Sequence, residues 1–446
     1  MKRFLLLFSL ILTLSFDLFA QTISLEQVRT LALANSRSLA KYNLAITSTI
    51  LDERSRIFTT LPSLSLGANA SINLWNAQNS APVENPFDTF SSGLNFSVSQ
   101  KIFEGGKTLI QKAINEIASE SAKKDALAEY FNVLDSADNA YYAVLEATAV
   151  LAAEESSLQT ALTSLSIAEV RQASGIINQG DYLKAMADKE TRENSRNQAR
   201  RNLALNIMKL KSLIGLNGLP EMQQINFTGY EDIILRLGNI TDMDANLLYN
   251  ELWKSIVSTN PSLSKAVLAN QRAENNLSMT QCGYSPSLSA SFSTGLNYSQ
   301  NSGIEMSGGK LSLSLSIPVD YWVIANNVEK NKIARDSTAL DYISAEVNLQ
   351  TELQSALLNV FSYAGSVINN SLSLAYSEKH FEYVMERYRL SQSSITDLNE
   401  ASSLLINGRN NLIKARYGFL QSLSKLRSLG VFSDEEKLIE ILMGRF

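Results

Sequence analysis

Histidine and cysteine, the side chains that most often bind metals or act as bases and nucleophiles, are nearly absent from this sequence. The 446 residues include one histidine, His380, and one cysteine, Cys282. A zinc site, a disulfide framework or a Ser-His-Asp triad requires more of these residues. The net charge is −5 and no Lys- or Arg-rich run is present, which argues against nucleic acid as a partner. We therefore expect no enzyme activity, no metal and no cofactor.

Asp397 and Glu400 form the acidic pair whose spacing suggests a function. Residues three apart on a helix lie on one face, so both carboxylates can project together. The same spacing is also typical of a capping box that only begins a helix. Both interpretations stay open, because one pair of residues can do both.

The first twenty residues predict a secretory signal peptide. Two basic residues precede an apolar stretch, residues 4–16, and residues 18–20 are typical of a cleavage site. An uncleaved helical anchor is disfavoured by Asp17 and by the short apolar core. No later apolar run reaches the roughly 18 residues that a membrane-spanning helix needs.

The chain contains two copies of one repeat unit. Residues 61–65, Leu-Pro-Ser-Leu-Ser, return as residues 285–289, Ser-Pro-Ser-Leu-Ser, and residues 209–213 return as residues 425–429. The spacing is 216 to 224 residues throughout. We therefore divide the chain into a signal peptide (residues 1–20), a first repeat (21–216), an equatorial connector (217–244), a second repeat (245–430) and a C-terminal equatorial segment (431–446).

Each repeat is predicted to contain a helix, two strands, a long helix, a turn and a shorter helix. The long helices are predicted at residues 107–174, which lack Gly and Pro, and at about 328–390; an unbroken helix of the first length spans about 100 Å. Apolar residues alternating with Ser, Asn and Gly predict the strands. Such small polar faces suit a water-filled lumen better than a packed core, although a soluble sandwich stays as an alternative. The strands are predicted at residues 63–74, 94–99, 288–298 and 311–317, with extracellular loops at 76–89 and 300–309.

These features together resemble the TolC-like outer-membrane efflux proteins, also called outer membrane factors. The most specific segment is residues 99–106, Ser-Gln-Lys-Ile-Phe-Glu-Gly-Gly, which is similar to the Ser-Gln-Pro-Leu-Phe-Asp-Gly-Gly run that precedes the family's long helix. Lys101 replaces the usual proline. The second copy has residues 317–322, Ile-Pro-Val-Asp-Tyr-Trp, without the glycine pair. The resemblance covers nearly the whole mature chain.

The resemblance implies an α+β membrane protein that forms a homotrimer. Four strands per protomer would make one 12-stranded β-barrel in outer-membrane lipid, continued by a long α-helical barrel in the periplasm. Strand closure independently requires an oligomer, because four strands cannot close a barrel and open edges cannot lie in hydrocarbon. Two or four copies would also satisfy closure, so the choice of three comes from the family.

At the hairpin tips, the resemblance assigns roles to particular residues. A plain C-terminal helix cap is an equally good interpretation of Gly175. The first-copy positions equivalent to Asp397 and Glu400 are Asp181 and Lys184, so the two tips differ in charge. The implied periplasmic gate comprises Asp397, Glu400 and Tyr388, the implied adaptor-docking residues are Gly175, Ile176, Ser391 and Gln392, and Asp181 is the helix-start residue of the first tip.

The predicted function is a passive exit duct in the outer membrane of a diderm bacterium. It would serve a tripartite efflux pump or type I secretion system, joined to a periplasmic adaptor and an inner-membrane transporter of the RND, ABC or MFS type. One alternative is a secreted or surface-attached structural coiled-coil protein, against which the two polar-lined hairpins argue. Another is a self-standing porin, which has no use for helices about 100 Å long.

Overall fold

The structure is a computed structural model that describes residues 22–76, 81, 82, 86–216, 218, 221–300, 302–432 and 435–444. The predicted signal peptide, residues 1–20, and part of the predicted loop 76–89 lie outside the described residues. Within the described ranges, no helix combines the length and the apolar character needed to cross a membrane.

The first half of the chain follows the predicted order of elements with two differences: two helices, not one, precede the first strand, and a pair of two-residue strands lies between the two longer ones. Its longest helix, α3, has 67 residues and carries no proline or glycine to break it. The described elements are α1 (Leu25–Asn35), α2 (Arg37–Thr59), β1 (Ser63–Ser71), β2 (Trp75–Asn76), β3 (Ala81–Pro82), β4 (Ser91–Glu104), α3 (Lys107–Ala173) and α4 (Gln179–Ile214).

The second half begins with the short helix α5 (Glu231–Gly238) and then repeats the order. Its long helix α8 has 69 residues, close to the length of α3. The described elements are α6 (Asp242–Thr259), α7 (Pro261–Gln281), β5 (Ser287–Ser299), β6 (Gly303–Ser316), α8 (Tyr321–Arg389), α9 (Ile395–Gly430) and α10 (Glu435–Leu442).

Two predicted boundaries in the second repeat are wrong. Strand β6 begins at Gly303, so most of the predicted loop 300–309 is strand; its Gly- and Ser-rich composition hid residues that pair with β5. Helix α8 begins at Tyr321 rather than near residue 328. Pro318 precedes it, and because proline cannot donate to a strand ladder, it marks the change from strand to helix.

The first strand-to-helix junction uses glycine where the second uses proline. Gly105 and Gly106 have φ values of 65° and 86°, a region that side chains with a Cβ rarely adopt. A Cβ at Gly105 would also lie 2.5 Å from the Cβ of Ser285. The glycine pair therefore meets both a backbone and a packing requirement at this turn.

One compact unit comprises Tyr42–Asp125 and Ser262–Glu346 and contains a four-stranded antiparallel sheet. The strand order is β1-β4-β5-β6, so β1 and β6 are its edges. The register keeps apolar residues on one face, where Leu66 pairs with Phe96 and Phe292 with Leu311. This face is exposed in the protomer, with Leu66 at 76% and Leu311 at 80%. The opposite face carries rows of serine, for example Ser63, Ser99, Ser291 and Ser312.

The other compact unit comprises residues 22–41 of its first described segment together with Ala126–Pro261 and the described part of Val347–Phe446. Its most buried ionic group is the carboxylate of Asp138 in α3, whose side chain is 1% exposed. Arg29 of α1 donates from Nε to Asp138 Oδ1 at 2.6 Å, and Arg427 of α9 lies 3.2 Å from Oδ2. Both arginines also pair with Glu435 of α10, at 3.5 and 3.9 Å. This ionic cluster joins four helices.

We expect Asp138→Asn to lower the free energy of unfolding by about 3 kcal/mol or more, because two buried guanidinium groups lose the nearer and more buried of their two shared counter-charges. The measurement is thermal or denaturant unfolding of the purified protein in detergent. The matched control is Glu251→Gln, which removes an exposed pair with Lys254 at 2.8 Å and should cost no more than about 1 kcal/mol. Equal effects of the two variants would contradict a stabilising role for the ionic cluster.

Candidate functional site

The turn between α3 and α4, the first tip, ends its helix with a left-handed glycine. The amide of Ile176 donates to the carbonyl oxygen of Arg171 at 2.8 Å, and that of Gly175 donates to Gln172 at 3.0 Å. Gly175 has a φ of 71°. These two bonds define a Schellman motif, so Gly175 acts as a helix cap. Its predicted part in adaptor docking stays a prediction.

The turn between α8 and α9, the second tip, has the same geometry without glycine. The amide of Gln392 donates to Arg387 at 2.7 Å, and that of Ser391 donates to Tyr388 at 3.0 Å. Ser391 takes the left-handed conformation, with a φ of 61°. It therefore occupies the place of Gly175, 216 residues later. The glycine that usually marks this motif is replaced by serine, so the motif was not predicted from the sequence, although the repeat spacing aligns the two positions.

Both shorter helices begin with a side-chain cap. Asn178 accepts a hydrogen bond from the amide of Asp181 at 2.9 Å, and Ser394 accepts one from the amide of Asp397 at 3.1 Å. Asp397 in turn accepts from the amide of Ser394 at 3.0 Å, which completes a capping box. The prediction of a box formed by Asp397 and Glu400 is wrong, because Asp397 is already the third residue of the helix and Ser394 is the cap.

The two acidic residues of the second tip are both exposed but differ in their contacts. Hydrogen bonds from the backbone and side chain of Ser394 and from the hydroxyl of Ser393 lower the pKa of Asp397. Its cap therefore stabilises the helix start at neutral pH, and this contribution is lost as the pH falls through that lowered pKa. The carboxylate of Glu400 makes no hydrogen bond or ion pair with the described part of the protomer. Glu400 is the free charge of the pair.

Lys184 occupies the first-copy position of Glu400 and connects the two tips. Its Nζ lies 3.4 Å from Asp181 Oδ1 and 3.3 Å from the Thr396 hydroxyl of the second copy. The equivalent positions thus carry opposite charges. Lys184 has polar contacts within the protomer, whereas the carboxylate of Glu400 has none with the described residues.

Tyr388, predicted as a gate residue, is buried in the protomer with 1% exposure. Arg171 of the first copy donates to its carbonyl oxygen, and the guanidinium carbon lies 4.4 Å from the ring centre. Burial raises the pKa of Tyr388, partly offset by the positive charge of Arg171. Its hydroxyl has no hydrogen-bond partner in the described protomer. The surrounding core contains Ala168, Ala185, Val384, Met385, Ile395, Leu398 and Ala401.

Arg171 is a tip residue whose role was not predicted from the sequence. It is 7% exposed, and a buried arginine in contact with both a carbonyl group and an aromatic ring fixes the position of that residue. The repeat could have indicated Arg171, because the two copies align it with Arg387. That second arginine is different in its contacts, because it donates to the carbonyl of Gln392 within its own tip at 2.9 Å.

The first tip also presents apolar side chains to solvent. Ile176, one of the predicted docking residues, is 60% exposed and Leu390 of the second tip is equally exposed. Val170 and Leu183 are exposed by 66% and 52%. Gln392 lies among serines and is exposed as well. The tips therefore combine an apolar surface with uncharged polar groups.

We expect Ser391→Gly to raise the free energy of unfolding by about 0.5–1 kcal/mol, because glycine relieves the strain of the left-handed conformation. The reciprocal control is Gly175→Ser, which should lower it by about 1 kcal/mol. A Cβ at Gly175 has no neighbour within 4 Å, so backbone strain is the expected cause. Thermal unfolding of the purified variants measures both. Shifts of the same sign would contradict the equivalence of the two positions.

The sequence is similar to known proteins over most of its length. The sequence matches the family model described as outer membrane efflux protein over residues 28–216 and 252–430. It is 23% identical to the outer membrane protein TolC of Escherichia coli (strain K12) over 399 residues, which are 85% of this chain and 76% of that protein. Identity to TolC of Vibrio cholerae serotype O1 is 25% over 404 residues, 84% of this chain and 83% of that protein.

Solved structures show the same fold. A crystal structure of CusC has a TM-score of 0.76 at 17% identity, covering 92% of this chain and 93% of CusC. The Campylobacter jejuni CmeC outer membrane channel has a TM-score of 0.74 at 17% identity, covering 94% and 89%. The predicted fold class of long helices with four strands per protomer is confirmed, and the coiled-coil and porin alternatives are not favoured. Because the two matched segments cover most of the sequence, the chain belongs to the outer membrane efflux protein family.

Proposed function

We propose that three copies of this chain assemble into one outer-membrane exit duct. Each protomer contributes four strands to a 12-stranded barrel and its long helices to a periplasmic tunnel. The observation that carries the proposal is the sheet, which has two open edges and one exposed apolar face. Such a sheet is stable in hydrocarbon only when neighbouring copies pair its edges and lipid covers the apolar face. The number three is taken from the family.

The helices of the protomer support assembly with further copies. Helix α2 contains no buried residue in its 23 positions, although it carries Leu44, Leu51 and Phe58. Along α8, Leu340 and Leu358 are each 65% exposed. Large apolar side chains that stay in water along two long helices indicate surfaces that other copies cover.

The proposed partners are a periplasmic adaptor and an inner-membrane transporter of the RND, ABC or MFS type. The adaptor would contact the tips at Gly175, Ile176, Ser391 and Gln392. In support, Ile176 is exposed and both tips have the same rigid Schellman turn, so they can present matched surfaces to repeated adaptor hairpins. The duct itself would be passive and carry cargo from the periplasm to the exterior.

The proposed periplasmic gate is formed by Asp397, Glu400 and Tyr388 of the three protomers. Six carboxylates close to one narrow axis would attract cations, as acidic rings do in cation channels. Asp397 also takes part in the cap of its helix. Glu400 has no such contact with the described residues, so its charge is available to attract cations. The hydroxyl of Tyr388 is buried without a hydrogen-bond partner in the described protomer, so it would take part in the gate only if the tip opened.

The barrel is tested by single cysteines at Ser65 and Leu66 in a variant whose Cys282 is replaced by serine. We expect a trimer in detergent, a water-soluble thiol reagent to modify Ser65→Cys, and a lipid-soluble reagent to modify Leu66→Cys. The two positions are neighbours that face opposite sides of β1, so each is the control of the other. The reverse labelling pattern would disprove the barrel orientation.

The gate is tested by conductance in planar bilayers. Glu400→Gln should reduce cation preference and block by periplasmic divalent cations several-fold while leaving the thermal unfolding curve unchanged, since Glu400 makes no cap. Asp397→Ala should reduce both properties and also weaken the helix start. Lys184→Gln is the matched control of opposite charge and should increase cation preference. If Glu400→Gln leaves selectivity and block intact, the gate lies elsewhere.

A further inference from the structure

The alternation of side chains between the two faces of the sheet shifts by one residue within strand β6. Ser307 pairs with Gly295 and Lys310 pairs with Ser293, so Gly308 and Gly309 together oppose the single residue Thr294. Two residues opposite one define a β-bulge, which shifts the alternation by one position. As a result, both the odd-numbered residue Glu305 and the even-numbered residue Lys310 lie on the polar face of the sheet.

Lys310 completes a row of side chains that runs across all four strands. Its row contains Ser65, Ser97 and Ser293, whose hydroxyls are small and uncharged. The row of Glu305 contains Asn69, Gly93 and Asn297. The two rows lie four residues apart on β5, from Ser293 to Asn297, which corresponds to about 13 Å along the strand.

The remaining charges on the polar face neutralise each other. Lys101 and Glu104, where β4 leads into α3, form an ion pair at 2.6 Å. Neither Lys310 nor Glu305 forms an ion pair with the described residues of the protomer. These two are therefore the uncompensated charges of a face that otherwise consists of Ser, Asn and Gly.

We propose that Lys310 is a specificity-determining residue of the duct, where three copies form a ring of ammonium groups that attracts anionic groups such as carboxylates, phosphates and sulfonates. Glu305 forms a separate acidic ring nearer the turn between β5 and β6. This proposal rests on the proposed function, because it requires the polar face to line the lumen. Without the bulge, Lys310 would face lipid, where a charged side chain is costly.

The local potential can be measured with thiol reagents of opposite charge. The reporter is Ser293→Cys, the direct pairing partner of Lys310, with Cys282 replaced by serine and the full-length protein reconstituted in liposomes. The two probes are sulfonatoethyl and trimethylammonioethyl methanethiosulfonate. The measured quantity is the ratio of the anionic to the cationic reaction rate, with and without Lys310→Gln.

We expect Lys310→Gln to lower the ratio of the anionic to the cationic reaction rate about fivefold at low salt. One unit charge about 8 Å away in water attracts the anionic reagent and repels the cationic one, and the two effects together give a change of this size. At about 1 M salt, where the Debye length is about 3 Å, the difference should largely vanish. The matched reporter is Asn297→Cys, the partner of Glu305. There, Glu305→Gln should raise the ratio, and Lys310→Gln should change it less.

Failure of this proposal and failure of the proposed function give different results. If both reagents react at Ser293→Cys and their rate ratio is unchanged by Lys310→Gln, the lumen assignment stands and the role of Lys310 is disproved. If neither water-soluble reagent reacts but a lipid-soluble one does, the polar face is not the lumen and both proposals fall. Ser97→Cys, in the same row on β4, provides a second reporter if Ser293→Cys does not assemble.

Discussion

Backbone groups at the edge of a sheet must find partners, and in hydrocarbon no water supplies them. Strands β1 and β6 are both open edges, and the apolar face between them is exposed. The proposed lumen, its polar lining and the proposed roles of Glu305 and Lys310 all require these edges to be paired between copies. The requirement to close the sheet therefore determines how the rest of the molecule must be interpreted.

The two tips show how a duplicated unit can keep its geometry while its chemistry changes. Gly175 and Ser391 adopt the same left-handed conformation at equivalent positions, one without strain and one with it. At another pair of equivalent positions, Lys184 contacts the hydroxyl of Thr396, whereas the carboxylate of Glu400 has no partner among the described residues. A shared backbone with different side chains therefore gives the two tips of the protomer different surfaces.

The sequence alone determined the features that depend on neighbouring residues. The absence of Gly and Pro over residues 107–174 predicted the helix Lys107–Ala173 to within one residue. Alternating apolar and polar residues predicted four strands and their two faces, because successive side chains of a strand point to opposite sides. The family resemblance was likewise readable from the order of short motifs, and it is confirmed. These signals are local, so no tertiary information was needed.

Only the tertiary structure decided which distant residues meet. Arg171 lies 217 positions from Tyr388, and Arg29 lies 109 positions from Asp138. Neither contact could be predicted from the spacing of these residues in the sequence. The pairing of β6 with β5 likewise revealed a bulge that places Lys310 on the polar face, where simple alternation cannot predict it. Such contacts depend on how whole elements pack, because the free energy that favours them comes from burial and charge pairing between segments far apart in the chain.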